Sequence, residues 1–393
     1  MKLVPTINHW SNEALHLSLL KKKRLQWVDY LRGIAIILVV YHHVRIGIER
    51  SDIIVPAALV KANMIFYSFR MPLFFMLSGI FINRSLLKKS GLEIAGIKFE
   101  KLLYPYFVWV FIQISLQLVF GEFTNTSRGL TDFTYIFYNP RYLDQFWYLP
   151  ALFNATMFYL LIKTKLKPNA WQHLGVALAL YFTAPYFQGV SIMSDWMEFY
   201  IFFAVGDTIS ALFFQQKAQK FFNNIWTFIL IIPFFIAAQL YYLKNDIGYT
   251  TLLTNVQSIR ENYLSHAWGQ MVFLFIAFIG CVTMFKLAFL LQRLQVLSFL
   301  RVLGYHSLQI YVMHVIITGC TRILLVKYFD IVNPYVLLFG SIAVGVILPI
   351  VIYNLLIKDN VGWFLFSYRR RKNSATVVSA AASTEVRTEM IAS

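Results

Sequence analysis

An all-α, polytopic membrane fold of about ten spanning helices is what this sequence predicts, on three observations. Hydrophobic residues make up 59% of the 393-residue chain and charged residues only 13%. Ordinary soluble domains carry about 25% charged residues. Apolar stretches of about 20 residues, the length a bilayer-crossing helix needs, recur from end to end. Basic residues gather at alternate ends of those stretches, the pattern that sets membrane orientation.

The predicted spans, in order, are residues 28–46, 62–83, 102–120, 145–162, 171–187, 197–214, 224–243, 267–286, 304–326 and 335–357. Turn-forming dipeptides separate several of them: "NP" at 139–140, "KP" at 167–168 and "NP" at 333–334. No soluble domain of 50 residues fits between the spans. The expected organisation is a cytoplasmic N-terminal segment (1–24), one membrane domain (25–357) and a basic, disordered cytoplasmic tail (358–393). The first segment has a weak pattern for a short interfacial helix. With the N-terminus inside, 24 of the 35 Lys and Arg residues sit at cytoplasmic ends and 9 at the opposite ends; Arg32 and Arg70 fall within spans. Both termini are therefore expected in the cytoplasm.

The net charge of +17 does not imply nucleic acid, because its distribution follows the span ends. Cys281 and Cys320 both lie in spans and have neither metal-ligand nor redox spacing, so no metal is expected. "KKKR" at 21–24 precedes a long span with no small-residue cleavage site before it, so no signal peptide is expected. No internal repeat is visible, which weighs against a secondary transporter.

The residues that can do chemistry concentrate in the first span, "RGIAIILVVYHHVR" at 32–45. Ionisable residues inside a membrane are costly and mark function by default. Asp29, Arg32, Ile36, Val40 and His43 share one helical face, whereas His42 is rotated about 100° away. Arg32 and His43 are about 16 Å apart along the axis. The plain alternative is an arginine that snorkels and histidines that join helices. Ser307, Tyr311 and His314 share a face of the ninth span, and His314 falls near mid-membrane. Trp147 and Tyr148 open the fourth span, at aromatic-belt height. Arg70 needs a buried partner, for which Glu198 and Asp207 are the nearest candidates.

Five segments carry a family resemblance: "WVDYLRGIAIILVVYHHV", "MPLFFMLSGIFINRS", "KFEKLLYPYFVW", "FWYLPALF" and "GYHSLQIYVMH". In this order they resemble the bacterial membrane O-acyltransferases (acyltransferase family three), nearest to the fucose O-acetylase-like members. The family pairs an Arg or Lys with a His ten residues further on, a spacing that Arg32 and His43 match, with ten residues between them, and His42 does not. Lys98 and Lys101 stand where the family has an RxxR-like pair, and Arg70 where related members often have His.

The resemblance implies transfer of an acyl group from acetyl-CoA to a hydroxyl of a cell-surface glycan or lipid-linked saccharide in the bacterial inner membrane. His43 is the expected general base or acyl relay, with Arg32 and Asp29 in the same catalytic stripe. Lys98, Lys101 and Arg32 are the expected contacts for acetyl-CoA. Arg70, Trp147 and His314 are candidate substrate residues. Membrane lipid is expected around the protein, with no nucleic acid and no obligatory protein partner. The roughly 35 residues after the tenth span are too few for the hydrolase-like domain that some relatives append. A polytopic transporter and a non-catalytic subunit of a polysaccharide export system remain the rival classes.

The charge asymmetry makes a prediction. Alkaline phosphatase fused after the tenth span should be inactive and a fluorescent protein there bright; the reverse pair would invert the orientation.

Overall fold

The computed structural model describes residues 12–21, 25–121, 128–245, 263–358 and 361–369. No strand occurs among them, and the protein is an all-α polytopic membrane protein. Its principal helices are α1 (Gln26–Glu49), α2 (Ala57–Leu86), α3 (Gly91–Val119), α4 (Tyr148–Lys165), α5 (Ala170–Thr183), α6 (Ser191–Ile209), α7 (Ile225–Asn245), α8 (Tyr263–Leu294), α9 (Phe299–Tyr305), α10 (Ser307–Ile323) and α11 (Pro334–Ile352). Each predicted span coincides with one of them.

Among the described residues, eight helices are long and apolar enough to cross a bilayer. The helices at predicted spans 145–162 and 171–187 are not in that group. At 14 residues, α5 rises only about 21 Å against a hydrocarbon core of about 30 Å. Although α4 has 18 residues, it carries Asn154 and ends in Lys163 and Lys165.

Local sequence explains the helix ends. Asn333 caps α11 by accepting from the Tyr335 and Val336 amides at 3.0 and 3.3 Å, and Pro334 occupies the first turn, where no amide is needed. Asn169, after the "KP" break, caps α5 through a reciprocal bond pair with Gln172. The start of α1 has no side-chain cap, so its Trp27 amide donates instead to Gln292 on α8 at 2.9 Å. The Trp27 ring stacks among Phe81, Phe213 and Phe289, fastening that end of α1 to three other segments. In α3 a π-helical turn spans Phe99–Leu103, so Lys98 precedes the turn and Lys101 lies inside it.

α1 sits at the centre, packed against α2, α8, α9, α10 and α11. Two crossings bring backbones into direct contact. A Cβ on Gly33 would collide with the Leu300 carbonyl, and one on Gly304 with the Asp29 carbonyl, which locks α1 to α9 from both sides. The same reciprocity joins α2 to α6: Gly79 faces the Phe203 carbonyl and Gly206 the Met76 carbonyl. Lipid offers helices no hydrophobic drive to associate, so such close approach supplies the packing. By contrast, only 11% of the apolar stretch of α7 is buried, placing that helix at the rim against α8.

The segments at both ends pack onto the bundle as far as they are described. His16 stacks edge-on against Tyr305 and His306, and Asn354 donates to the Ala14 carbonyl. The start of the expected disordered tail is ordered: Val361–Leu365 forms a short 3₁₀ helix. Tyr104 donates to the Phe364 carbonyl and Trp109 to the Leu365 carbonyl at 3.1 Å, while Ser367 bonds Glu100. The physical reason is the run Trp363–Phe366, which is apolar enough to seek the bundle and finds an indole and a phenol donor on α3. Residues 370–393, where the rest of the expected tail falls, lie outside the described residues.

The glycine crossings are testable. Gly206→Val and Gly33→Val each press a side chain onto backbone atoms that cannot turn away, at a cost of about 1–3 kcal/mol or more. Fluorescence-detected size exclusion in detergent should show loss of monodisperse protein for both. Gly175→Ala, where nothing lies within 4 Å, should be silent; equal behaviour of all three variants would remove the close-packing argument.

Candidate active site

A cavity of about 660 Å³ opens beside the His43 end of α1, within the usual size range of small-molecule sites. His42, His43, Arg70, Trp147 and Tyr311 line it, together with Tyr67 on α2. The wall residues from α1 and its C-cap run from Val39 to Arg50, so Arg32 and Asp29 lie at the opposite end of the same helix.

The two adjacent histidines have different surroundings. His42 Nδ1 lies 3.1 Å from Asn63 Oδ1, which also accepts from Arg70 Nη1 at 3.1 Å. With Oδ1 as acceptor, His42 carries its proton on Nδ1 in this network. His43 makes no hydrogen bond among the described residues. Its ring lies 5.0 Å from that of His42 and 5.1 Å from that of His314, centroid to centroid. His314 is fully buried, and its Nδ1 lies 3.0 and 2.8 Å from the Ile310 and Tyr311 carbonyls. Carbonyls only accept, so Nδ1 is the protonated nitrogen and Nε2 keeps a lone pair. That Nε2 is buried and has no partner among the described residues.

Arg70 is 3% exposed, on α2 just before Pro72, whose missing amide leaves the Ser68 carbonyl without its usual helical donor. The expected partners Glu198 and Asp207 are engaged elsewhere. Glu198 pairs with Arg141 at 3.4 Å; Asp207 accepts from Tyr159 at 2.9 Å and faces Lys163 at 3.4 Å. Arg70 instead bonds Asn63 and lies over the Tyr67 ring, 5.2 Å from its centroid. A neutral amide and a phenol ring have replaced the carboxylate that charge balance alone suggested.

The far wall comes from the segment between α3 and α4. Asp144 has φ 57° and ψ −110°, a conformation that costs a non-glycine residue about 1–3 kcal/mol. It is held by Arg128 at 3.2 Å, Arg50 at 3.1 Å and Gln113 at 3.5 Å. The next residue, Gln145, bonds Gln113 at 2.8 Å and accepts the Tyr311 hydroxyl on its carbonyl. Trp147 follows, with the Arg141 guanidinium 4.4 Å above its ring and Arg141 paired to Asp195 and Glu198.

The sequence candidates thus divide into two groups. His43, Arg70 and Trp147 share the cavity wall, and His314 stands directly behind His43. Arg32, Lys98 and Lys101 belong to the other end; Arg32 is within electrostatic range of Lys98 and of Tyr148. Between the groups runs a line of rings, Tyr148 to Tyr311 at 5.5 Å, Tyr311 to His314 at 6.3 Å and His314 to His43. Sequence reasoning passed over Asn63, Gln113, Asp144 and Arg322. Asn63 and Gln113 are uncharged polar residues inside apolar stretches and were findable on that ground. Asp144 gives no such signal, because its role depends on a loop conformation.

Fold and cavity together define a multi-pass membrane protein whose helices enclose a site rich in histidine and arginine. The chain belongs to acyltransferase family three: the family model described as "Acyltransferase domain" matches residues 25–354, which hold every candidate residue from Asp29 to His314. Over 127 residues it is 31% identical to nodulation protein NolL of Sinorhizobium fredii (strain NBRC 101917 / NGR234); that stretch is 32% of each chain. The match therefore spans about a third of that relative's length. No solved structure matches.

The strained wall makes a prediction. The side chains of Asp144 and Arg128 are 13% and 6% exposed, so breaking their pair costs about 1–3 kcal/mol. Asp144→Gly relieves the backbone by a comparable or smaller amount, since the ion pairs and Gln113 bond are all lost together. Thermal melting in detergent should place Asp144→Gly below wild type; a higher midpoint would show that strain outweighs the pairs.

Proposed function

We propose that the protein is an O-acyltransferase, in its simplest form an O-acetyltransferase. It moves the acyl group of acetyl-CoA to a hydroxyl of a cell-surface glycan or lipid-linked saccharide. The observation that carries the reading is His43: an imidazole on a cavity wall, without a hydrogen-bond partner among the described residues, backed by a second imidazole whose tautomer is fixed. Neutral imidazole is the side chain best matched to accept a hydroxyl proton near neutral pH.

In this reading the acceptor hydroxyl gives its proton to His43 as its oxygen bonds to the thioester carbonyl carbon. The carbon–sulfur bond then breaks, and the departing thiolate takes the proton back from His43, leaving ester and free coenzyme A thiol. His314 acts as a positioning residue: its ring packs 5.1 Å from that of His43, and its unpartnered Nε2 is able to accept a hydrogen bond from His43 when that ring turns, which leaves the other His43 nitrogen bare toward the cavity. Donor and acceptor approach from opposite ends. Lys98, Lys101 and Arg32 face the cytoplasm and hold the anionic head of acetyl-CoA, with both termini on the same side of the bacterial inner membrane. The wall of Trp147 and Arg70 receives the saccharide. Asp29 keeps its place in the α1 stripe as a partner for the basic group at the donor end.

Acetyl transfer by purified variants in lipid nanodiscs tests this. His43→Ala should lose about 10²–10⁴-fold in turnover. His42→Ala should keep much of its activity, since its ring is tied to Asn63. Arg32→Ala should act mainly on the KM for acetyl-CoA. His314→Gln should lower kcat and shift its pH profile with little change in either KM. An active His43→Ala protein beside a dead His42→Ala protein would move the base to the other face of α1.

A further inference from the structure

The cavity wall holds more positive charge than its own carboxylates balance. Among the described residues that line it, Arg50, Arg70, Arg141 and Arg322 face a single carboxylate, Asp144. Two of the four arginines are compensated. Arg141 is paired with Asp195 and Glu198, and Arg50 shares Asp144 with Arg128. The other two are not. Arg70 has only the Asn63 amide oxygen and the Tyr67 ring as partners, and no carboxylate lies within ion-pair distance of Arg70 or Arg322 among the described residues. Arg70 is 3% exposed inside a span, where a charge without a counter-ion is costly, and Arg322 stands in the last turn of α10.

Their placement adds to this. The Arg322 guanidinium lies across Gly47, where a Cβ would strike its Nη1 atom. Gly47 is four residues beyond His43 on α1, hence on the same face and about 6 Å further along the axis. Arg70 approaches from α2 through the amide that also holds His42. Both guanidiniums therefore line the cavity that His43 also lines, Arg70 from α2 and Arg322 from α10. Guanidinium forks are matched to planar oxyanions, carboxylate or phosphate, by two parallel hydrogen bonds.

We propose that Arg70 and Arg322 form an anion subsite, and that the acceptor is an acidic saccharide whose carboxylate or phosphate docks there while a neighbouring hydroxyl meets His43. This rests on the reading of the cavity as the acceptor site of an O-acyltransferase. The phosphates of the donor do not account for it, since that reading places them at the other end of α1.

The experiment measures ligand-induced thermal stabilisation of the purified full chain in nanodiscs with three probes. They are trigalacturonate, the same trisaccharide after carboxyl reduction, and inorganic pyrophosphate. The expected result is that at least one anionic probe binds tighter than the neutral one by about ten-fold or more, the value of one charge-assisted hydrogen bond. Arg322→Gln should abolish that preference and Arg322→Lys should keep part of it. Preference for trigalacturonate identifies a carboxylate, and preference for pyrophosphate alone identifies a phosphate. Equal binding of all three probes, no binding of any, or an undiminished preference in Arg322→Gln would overturn the subsite. Arg70→Gln is the second variant; if it does not fold, Arg322→Gln decides alone. Anion preference without turnover from acetyl-CoA would defeat the transferase reading and leave the subsite standing. Efficient transfer to a neutral acceptor, unaffected by Arg322→Gln, would do the opposite.

Discussion

The contact between the backbones of α1 and α9 governs the geometry of the whole site. Gly33 against Leu300 and Gly304 against Asp29 leave no room for either helix to slide or turn. Two residues after Gly304 the chain breaks at His306 and continues as α10, so the fixed crossing also fixes where α10 runs beside α1. About 15 Å further along α1, the two helices bring His43 and His314 together. The histidine pair is thus a product of the glycine crossing, formed at a distance from it. The second crossing, Gly79 with Gly206, does the same for α2 and thereby for Arg70.

Within that frame, polar groups are arranged by a single constraint: in lipid each must find a partner inside the protein. Most do. Tyr159, Lys163 and Asp207 close one network, and Arg141, Asp195 and Glu198 another. Buried atoms without a partner also occur away from the cavity, Nε of Arg301 among them, but four groups gather around it: the ring of His43, Nε2 of His314 behind that ring, and the guanidiniums of Arg70 and Arg322, which meet no carboxylate among the described residues. Of these, His43, Arg70 and Arg322 line the cavity, where a ligand can reach them, while His314 is fully buried behind His43.

Fold class and helix positions were legible in the sequence, because hydropathy is a property of segments and survives without knowledge of contacts. The phase of α1 was legible too, since helical rotation is fixed by residue spacing alone, although both His42 and His43 line the cavity. Pairing was not. Arg70 looked like a residue in want of a carboxylate; only the approach of Asn63, two turns earlier on its own helix, shows that an amide serves. Asp144 was invisible for another reason. Its importance lies in a left-handed backbone that brings Arg50 and Arg128 onto one side chain, and no local pattern encodes such a turn. The predicted span 171–187 corresponds to α5 and the 3₁₀ turn Ala184–Phe187 that extends it, of which only 14 residues are α-helical.

The 3₁₀ helix at Val361–Leu365 has a practical consequence. It supplies the acceptors for Tyr104 and Trp109, on the helix that also carries Lys98, Lys101 and the π-helical turn. A shortened version for crystallography or cryo-microscopy that stops at the end of the last long helix would strand both donors against lipid and uncover the Trp109 ring. Trimming from the C-terminus therefore has a floor at residue 369, below which the first damage would surface in α3 and not at the shortened end itself.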